Sequence, residues 1–332
     1  MRFEKLITGQ RLPAVVTPDD TTHLGKFAAT HRGAIDELLV EAGAILFRGF
    51  DITSADDLDE FVQAASTSKM DYVYGSTPRT HLAKGIYTAT EYPPNQEIPL
   101  HSEVSYHTEW PKRIALCCLQ PADENGATPL ADLRRVGESA GAALVDEFAR
   151  RRVMYVRHYH PYVDVPWQQV FQTENKKQVA QFCKKNNITL EWLADDVLRT
   201  VQICQGTITH PALNETFLFN QAHLFHVSSL DPEKAESLIE MFGVDRLPRN
   251  AFFGDGAEIE PEKHDAVRRA YAENAVDVDW QAGDVALVDN LQAAHGRRTF
   301  VGNRKVLAVL MDQTSEADLS GKVTKKRWWQ RA

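Results

Sequence analysis

Cysteine is scarce in this chain: Cys117, Cys118, Cys183 and Cys204 are the four present in 332 residues. Their spacing fits no zinc pattern, and adjacent cysteines rarely bond to each other. They are expected as free, mostly buried thiols in a reducing compartment. Long apolar runs are absent too, none approaching the ~20 residues of a membrane span. The opening stretch "MRFEKLITGQRLPAVV" has no long apolar segment of the secretory kind. Together these absences set the expectation of a soluble cytoplasmic protein with no membrane partner. There is no excess of basic charge. The net charge of −9 argues against a nucleic-acid coat, because phosphate binding needs a basic surface. The run "GKVTKKRWWQRA" at 321–332 is a candidate local basic patch. No internal repeat, low-complexity linker, phosphate-binding glycine loop or Gly-x-Ser-x-Gly elbow is found.

What is present is an ordinary globular balance, 43% hydrophobic and 25% charged. The length suits one large domain or two ordinary ones and supports a core without covalent staples. A single domain over 1–332 is expected. Ile35, Leu38, Leu39 and Ala42 recur at helical spacing and predict a helix over 32–42, stopped by Gly43. "AILFRGF" follows as a buried strand, then a second helix capped by Ser54. "GIYTATEYP", "IPLHSEVSYH" and "RIALCCLQPA" read as strands, and "DENGATPLAD" as a loop. A polar, partly helical insert is expected over about 134–200. Strand patterns return at "ETFLFNQ", "DVDWQAGDVALVDN" and "RKVLAVLMDQ". The fold class expected is mainly β with helical decoration (α+β), not the βαβ alternation of a doubly wound sheet.

The stretch "IPLHSEVSYHTEWP" carries two His-x-Glu pairs, His101/Glu103 and His107/Glu109. On a strand, residues i and i+2 face the same way, so either pair could reach one ion. A third ligand must come from afar, and His295 in "LVDNLQAAHGRRTF", past the end of an apolar strand, is the best placed. Two histidines and a carboxylate on one face of an ion leave open positions, the arrangement of non-haem Fe(II) oxygenases. Arg304 opens the next strand and could clamp the far carboxylate of a bidentate co-substrate.

The segments "GAILFRGFDI", "HPALNETFLFNQAHLFH" and "LVDNLQAAHGRRTFVGNRKVLAVLMDQ", with the long stretch from Gly85 to Val136, resemble the taurine dioxygenase and clavaminate synthase-like family. These are Fe(II)- and 2-oxoglutarate-dependent oxygenases. The resemblance is closest to the syringomycin-type branch that hydroxylates amino acids, often tethered to carrier proteins. It spans about residues 40–313 and implies a double-stranded β-helix, or jelly roll, with outer helices. It implies Fe(II), 2-oxoglutarate and O2 as cofactor and co-substrates. The metal and catalytic set it implies is His101, Glu103 and His295, which makes His107 and Glu109 substrate-side or structural. The implied 2-oxoglutarate anchors are Thr128 and Arg304. Asn125-Gly126-Ala127 departs from the family's paired glycines but keeps the threonine. A second family arginine is replaced by Ala308, so any substrate anion is held elsewhere. A carboxylate at 103 excludes the halogenase variant of the fold.

The implied reaction is hydroxylation of an unactivated C–H bond in an amino acid or amino acid-derived substrate, free or carrier-tethered. Desaturation, epoxidation or cyclisation on the same iron is the alternative within enzymes, and a non-catalytic β-barrel binding protein the alternative outside them. Asn220, Gln221, Arg297 and His107 are candidate substrate contacts. Arg298 is weighed with Arg297, and Tyr87, Thr88 and Glu91 are candidate pocket residues. His158 and His160 form a further i, i+2 pair that is expected to stack in the insert rather than bind metal.

Overall fold

The computed structural model describes residues 2–75, 80–83, 85–89 and 92–320. Glu91 and the basic run 321–332 lie outside the described residues. Two antiparallel-dominated sheets face each other with helices packed outside, which is the jelly roll expected. The larger sheet has eight strands. Its centre is the pairing of Glu109–Gln120 with Lys305–Ser315, flanked by Val285–Asp289. The smaller sheet orders Ala275–Val278, Thr128–Asp132, Ala293–Arg297 and Ile98–His101 side by side.

The long central strands are apolar on both faces, and strand alternation divides them between two cores. Cys117, Leu307, Val309 and Met311 point outward and pack under two helices, Leu24–Ala42 and Ala55–Ala65. Leu116, Cys118, Val306, Ala308 and Leu310 point inward, toward Leu130, Ala131, Ala293 and Ala294 of the smaller sheet. The site is built on this inner side. All four cysteines are buried and unbonded. Burial pushes the Cys118 and Cys183 thiols up to about 11, so they are not nucleophiles at neutral pH.

Several elements differ from expectation. The first helix starts at Leu24, not residue 32: Leu24, Phe27 and Ala28 carry an apolar face of helical spacing before a kink at His31. It ends at Gly43 in the left-handed conformation, φ +79°. Ser54 caps the second helix and closes a capping box with Asp57. "DENGATPLAD" is more ordered than a loop: it holds the strand Thr128–Asp132. The segment 134–200 carries helices, including Ala142–Arg151 and Lys176–Lys185, but it also contributes three strands. Thr189–Trp192, Leu198–Cys204 and Val153–Tyr159 join Arg249–Phe253 in a four-stranded sheet. The polar faces of these strands had hidden their period. His158 and His160 stack there at 6.2 Å, each bonded to a backbone carbonyl. Among the described residues no helix is long and apolar enough to cross a membrane.

Candidate active site

The smaller sheet sets His295 directly opposite His101. Their rings lie 4.6 Å apart. That approach depends on Gly296, where an added Cβ would lie 2.6 Å from the Ile98 carbonyl oxygen. The strand ends at His101, so Glu103 is not its strand partner as expected but sits in the turn that follows. Glu103 converges with the histidines through a different device. Asn290, fully buried, accepts from the Glu103 N–H at 2.7 Å and donates to the carbonyls of Glu103 and Pro111. The next residue, Val104, is held at φ +57°, a strained value for a β-branched side chain.

The result is a cluster in which one donor atom each from His101, Glu103 and His295 lies within 4.8 Å of the others. Glu103 Oε2 stands 3.4 Å from His295 Nε2 and 3.9 Å from His101 Nε2. His101 Nδ1 is hydrogen-bonded to the Pro99 carbonyl at 2.8 Å, which directs Nε2 inward. Two imidazole nitrogens and one carboxylate oxygen are the donor set that suits Fe(II).

A small cavity of about 40 Å³ opens from this cluster, lined by His101, His295, Thr128, Arg304 and Ala308 among others. Arg304 donates to the Gly126 carbonyl at 3.1 Å and toward Thr128 Oγ1 at 3.4 Å. Burial, with Arg297 nearby, pulls its guanidinium down to about 10, so it stays charged at neutral pH. No carboxylate among the described residues pairs with it, so an anion is the partner this buried charge calls for. Trp280 Nε1 also donates to Thr128 Oγ1, at 2.9 Å. A hydroxyl oxygen that accepts twice must turn its own hydrogen elsewhere. The Thr128 O–H is thus available to a ligand carboxylate in the cavity. Its donors suit a co-substrate with a chelating end and a distal carboxylate.

A second, larger cavity of about 450 Å³ shares His101 and Ile98 with the first and is lined also by Glu103, Tyr106 and Gln221. Gln221 Nε2 donates to the Ser102 carbonyl at 2.8 Å, behind the metal turn. The other candidate substrate residues are placed differently. Asn220 is spent on the Gly206 carbonyl and the Ala222 N–H and does not line the cavity. His107 takes the Glu109 N–H on Nδ1 and packs on Tyr74, away from both cavities. Burial lowers its pKa. Glu109 accepts from Gln313, so this second pair does not converge on a site. Arg297 lines the small cavity, but its guanidinium holds the carbonyls of Tyr92, Pro93 and Gln96. Arg298 pairs with Asp277 at the surface. Tyr87 and Thr88 border neither cavity.

The profile of the "Taurine catabolism dioxygenase TauD, TfdA family" matches residues 9–311. The chain belongs to the TauD/TfdA family. As a member it is an enzyme, a 2-oxoglutarate-dependent non-haem iron dioxygenase. The dapdiamide synthesis protein DdaC of Enterobacter agglomerans is 37% identical over 308 residues, covering 92% of this chain and 93% of that one. A clavaminate synthase-like protein of Arabidopsis thaliana is 30% identical over 328 residues, covering 92% and 96%. PvcB, an Fe, alpha-ketoglutarate-dependent oxygenase from an isonitrile synthetic pathway, superposes with a TM-score of 0.53 at 16% identity, covering 93% and 90%. At that identity the likeness is one of fold. For this TauD/TfdA member, Asn290 and Trp280 are the residues sequence reasoning missed. Asn290 stands five residues before His295, inside a motif already quoted, but only the turn at Glu103 reveals its work.

Proposed function

We propose that the enzyme hydroxylates an unactivated C–H bond of an amino acid or amino acid-derived small molecule. The observation that carries this is the meeting of the His101–Glu103–His295 cluster with two cavities, one lined by Arg304 and Thr128 and one of about 450 Å³ for a small organic substrate. The named role of DdaC in synthesis of a small product supports the substrate class. In this reading His101, Glu103 and His295 hold iron(II), and Arg304 and Thr128 receive the distal carboxylate of 2-oxoglutarate. Bound iron supplies the oxidation: dioxygen is consumed, 2-oxoglutarate becomes succinate and CO2, and one oxygen atom enters the substrate.

The protein's own part is orientation. Pro99 fixes the His101 ring, and Asn290 fixes the backbone of Glu103. Trp280 turns the Thr128 hydroxyl toward the co-substrate. The apolar walls of the large cavity, such as Leu224, Phe225 and Leu247, keep water from the reacting bond. Presenting the iron-loaded protein with 2-oxoglutarate, air and a panel of amino acids tests this. Succinate release should rise with a particular substrate and match a product heavier by one oxygen atom. Iron-bound protein that makes no succinate under any condition would overturn it.

A further inference from the structure

The large cavity has an uneven charge distribution. Its lining is mostly apolar, and Arg249 is the sole arginine or lysine among its described lining residues. Asp164, also in the lining, holds Arg249 fork to fork through both carboxylate oxygens. Asp164 sits at φ +64°, a backbone conformation costly for a residue with a Cβ. Strain of that kind is retained where a side chain has to be aimed. The Arg249 guanidinium lies 5.6 Å from the centre of the Phe225 ring, which lines the same cavity and limits its swing.

The neighbouring strand adds a second guanidinium. Arg157 is directly opposite Arg249 in the antiparallel register. Like charges placed so are destabilising unless something offsets them. Arg157 is 2% exposed, packed between the Tyr74 and Tyr159 rings. Its hydrogen bonds are long ones to the Gly75 carbonyl, at 3.4 and 3.5 Å. Burial pushes the Asp164 carboxyl up, but Arg249 and then Arg157 outweigh it and hold the acid ionised. The wall therefore presents a fixed anion beside a fixed cation, backed by further positive charge. Ala308, in the lining of the small cavity, carries no charge.

A partly exposed ion pair on a cavity wall contributes little to stability, since solvent screens the attraction. It is well suited to a ligand carrying the complementary pair of charges. Such a ligand exchanges one ion pair for two at the same place on the wall. We propose, on the strength of the amino acid reading above, that Arg249 and Asp164 dock the zwitterionic head of a free α-amino acid. Arg249 takes the carboxylate and Asp164 the ammonium. The side chain is left to occupy the part of the cavity lined by His101 and Glu103.

The test compares free amino acids with their α-amides and their N-acetyl derivatives, using the iron-loaded enzyme with 2-oxoglutarate and reading succinate above the substrate-free rate. For the best free acid, removing either charge should lower kcat/KM on the order of 100-fold. Arg249→Met should cause a similar fall for the acid and should abolish the preference for acid over amide. A binding readout runs alongside: the free acid should raise the melting temperature of the metal- and 2-oxoglutarate-loaded wild type and not of Arg249→Met. The acid–amide comparison needs no variant, so it stands even where Arg249→Met fails to fold. An amide that serves as well as its acid overturns the docking site, as does a substrate-free rate that no free amino acid raises. An iron-loaded enzyme without even a substrate-free rate defeats the oxygenase reading itself, and this site with it.

Discussion

Asn290 and Trp280 act at one remove from the chemistry, and each has a separable signature. Asn290→Ala removes the bonds that fix the Glu103 backbone. Iron affinity should fall roughly 10- to 100-fold, as for other groups that orient metal ligands. Equilibrium dialysis against iron(II) measures this, and unchanged affinity would mean that the turn holds its shape alone. Trp280→Phe keeps an aromatic, if smaller, ring but deletes the donor to Thr128. The KM for 2-oxoglutarate should rise roughly tenfold, the worth of one hydrogen bond of ~1.4 kcal/mol, with kcat little changed. A fall in kcat at constant KM would assign Trp280 a different role. His295, Arg304 and two competing His-x-Glu pairs were candidates from motif and spacing; the choice of His101 and Glu103, and Thr128, came from the family resemblance. Asn290, Trp280, Asp164 and Arg249 were not legible, because their work depends on register and turns rather than on neighbours in the chain. Arg249 and Asp164 lie 85 positions apart, and nothing in either stretch marks them as partners.

Among the elements, the helix Pro261–Glu273 carries a pH liability. Its His264 is buried, stacks on His226 at 4.3 Å, and has neither ring nitrogen bonded among the described residues. Burial, then His226 and Arg268, lowers its pKa to about 3 from the ordinary 6.5. The unfolded chain thus binds a proton that the folded chain refuses. The cost in stability is nil above about pH 6.5 and grows as pH falls toward 3, at about 1.4 kcal/mol per pH unit. Urea unfolding at pH 7 and pH 5 should show this loss, and His264→Phe should make the curve flatter over that range. An equal loss in both proteins would place the acid sensitivity elsewhere. At the level of elements, the central apolar strands and the second helix were readable because their periods are clean. The strands within 134–200 were not, because charged and polar residues such as Arg157, Arg199 and Gln202 alternate with their buried positions.

The whole molecule joins two facing sheets through one site, so ligands should report on global stability. His101 and His295 come from one sheet, while Leu116, Val306 and Ala308 of the small cavity come from the other. Metal at about 100 times its Kd should add about 2.7 kcal/mol to unfolding. 2-Oxoglutarate should raise the melting temperature further only when metal is present, and a chelator should reverse both effects. A rise with 2-oxoglutarate in metal-free protein would separate the two sites. A mainly β fold with helical decoration was legible from the order of strands, and the jelly roll from the family resemblance. The two-faced packing of its central strands emerged only with the sheet order.

The most direct measurement is an anaerobic titration of the metal-free protein with iron(II), then 2-oxoglutarate, followed by visible absorption and by iron bound per chain. One iron per chain, with an absorption band that appears only when both are present, is the predicted result for the wild type. His295→Ala should lose the iron, and Arg304→Met should keep the iron while losing the band at moderate 2-oxoglutarate. Full iron and an unaltered band in His295→Ala would contradict the account, because the cluster at its centre would then not be the metal site.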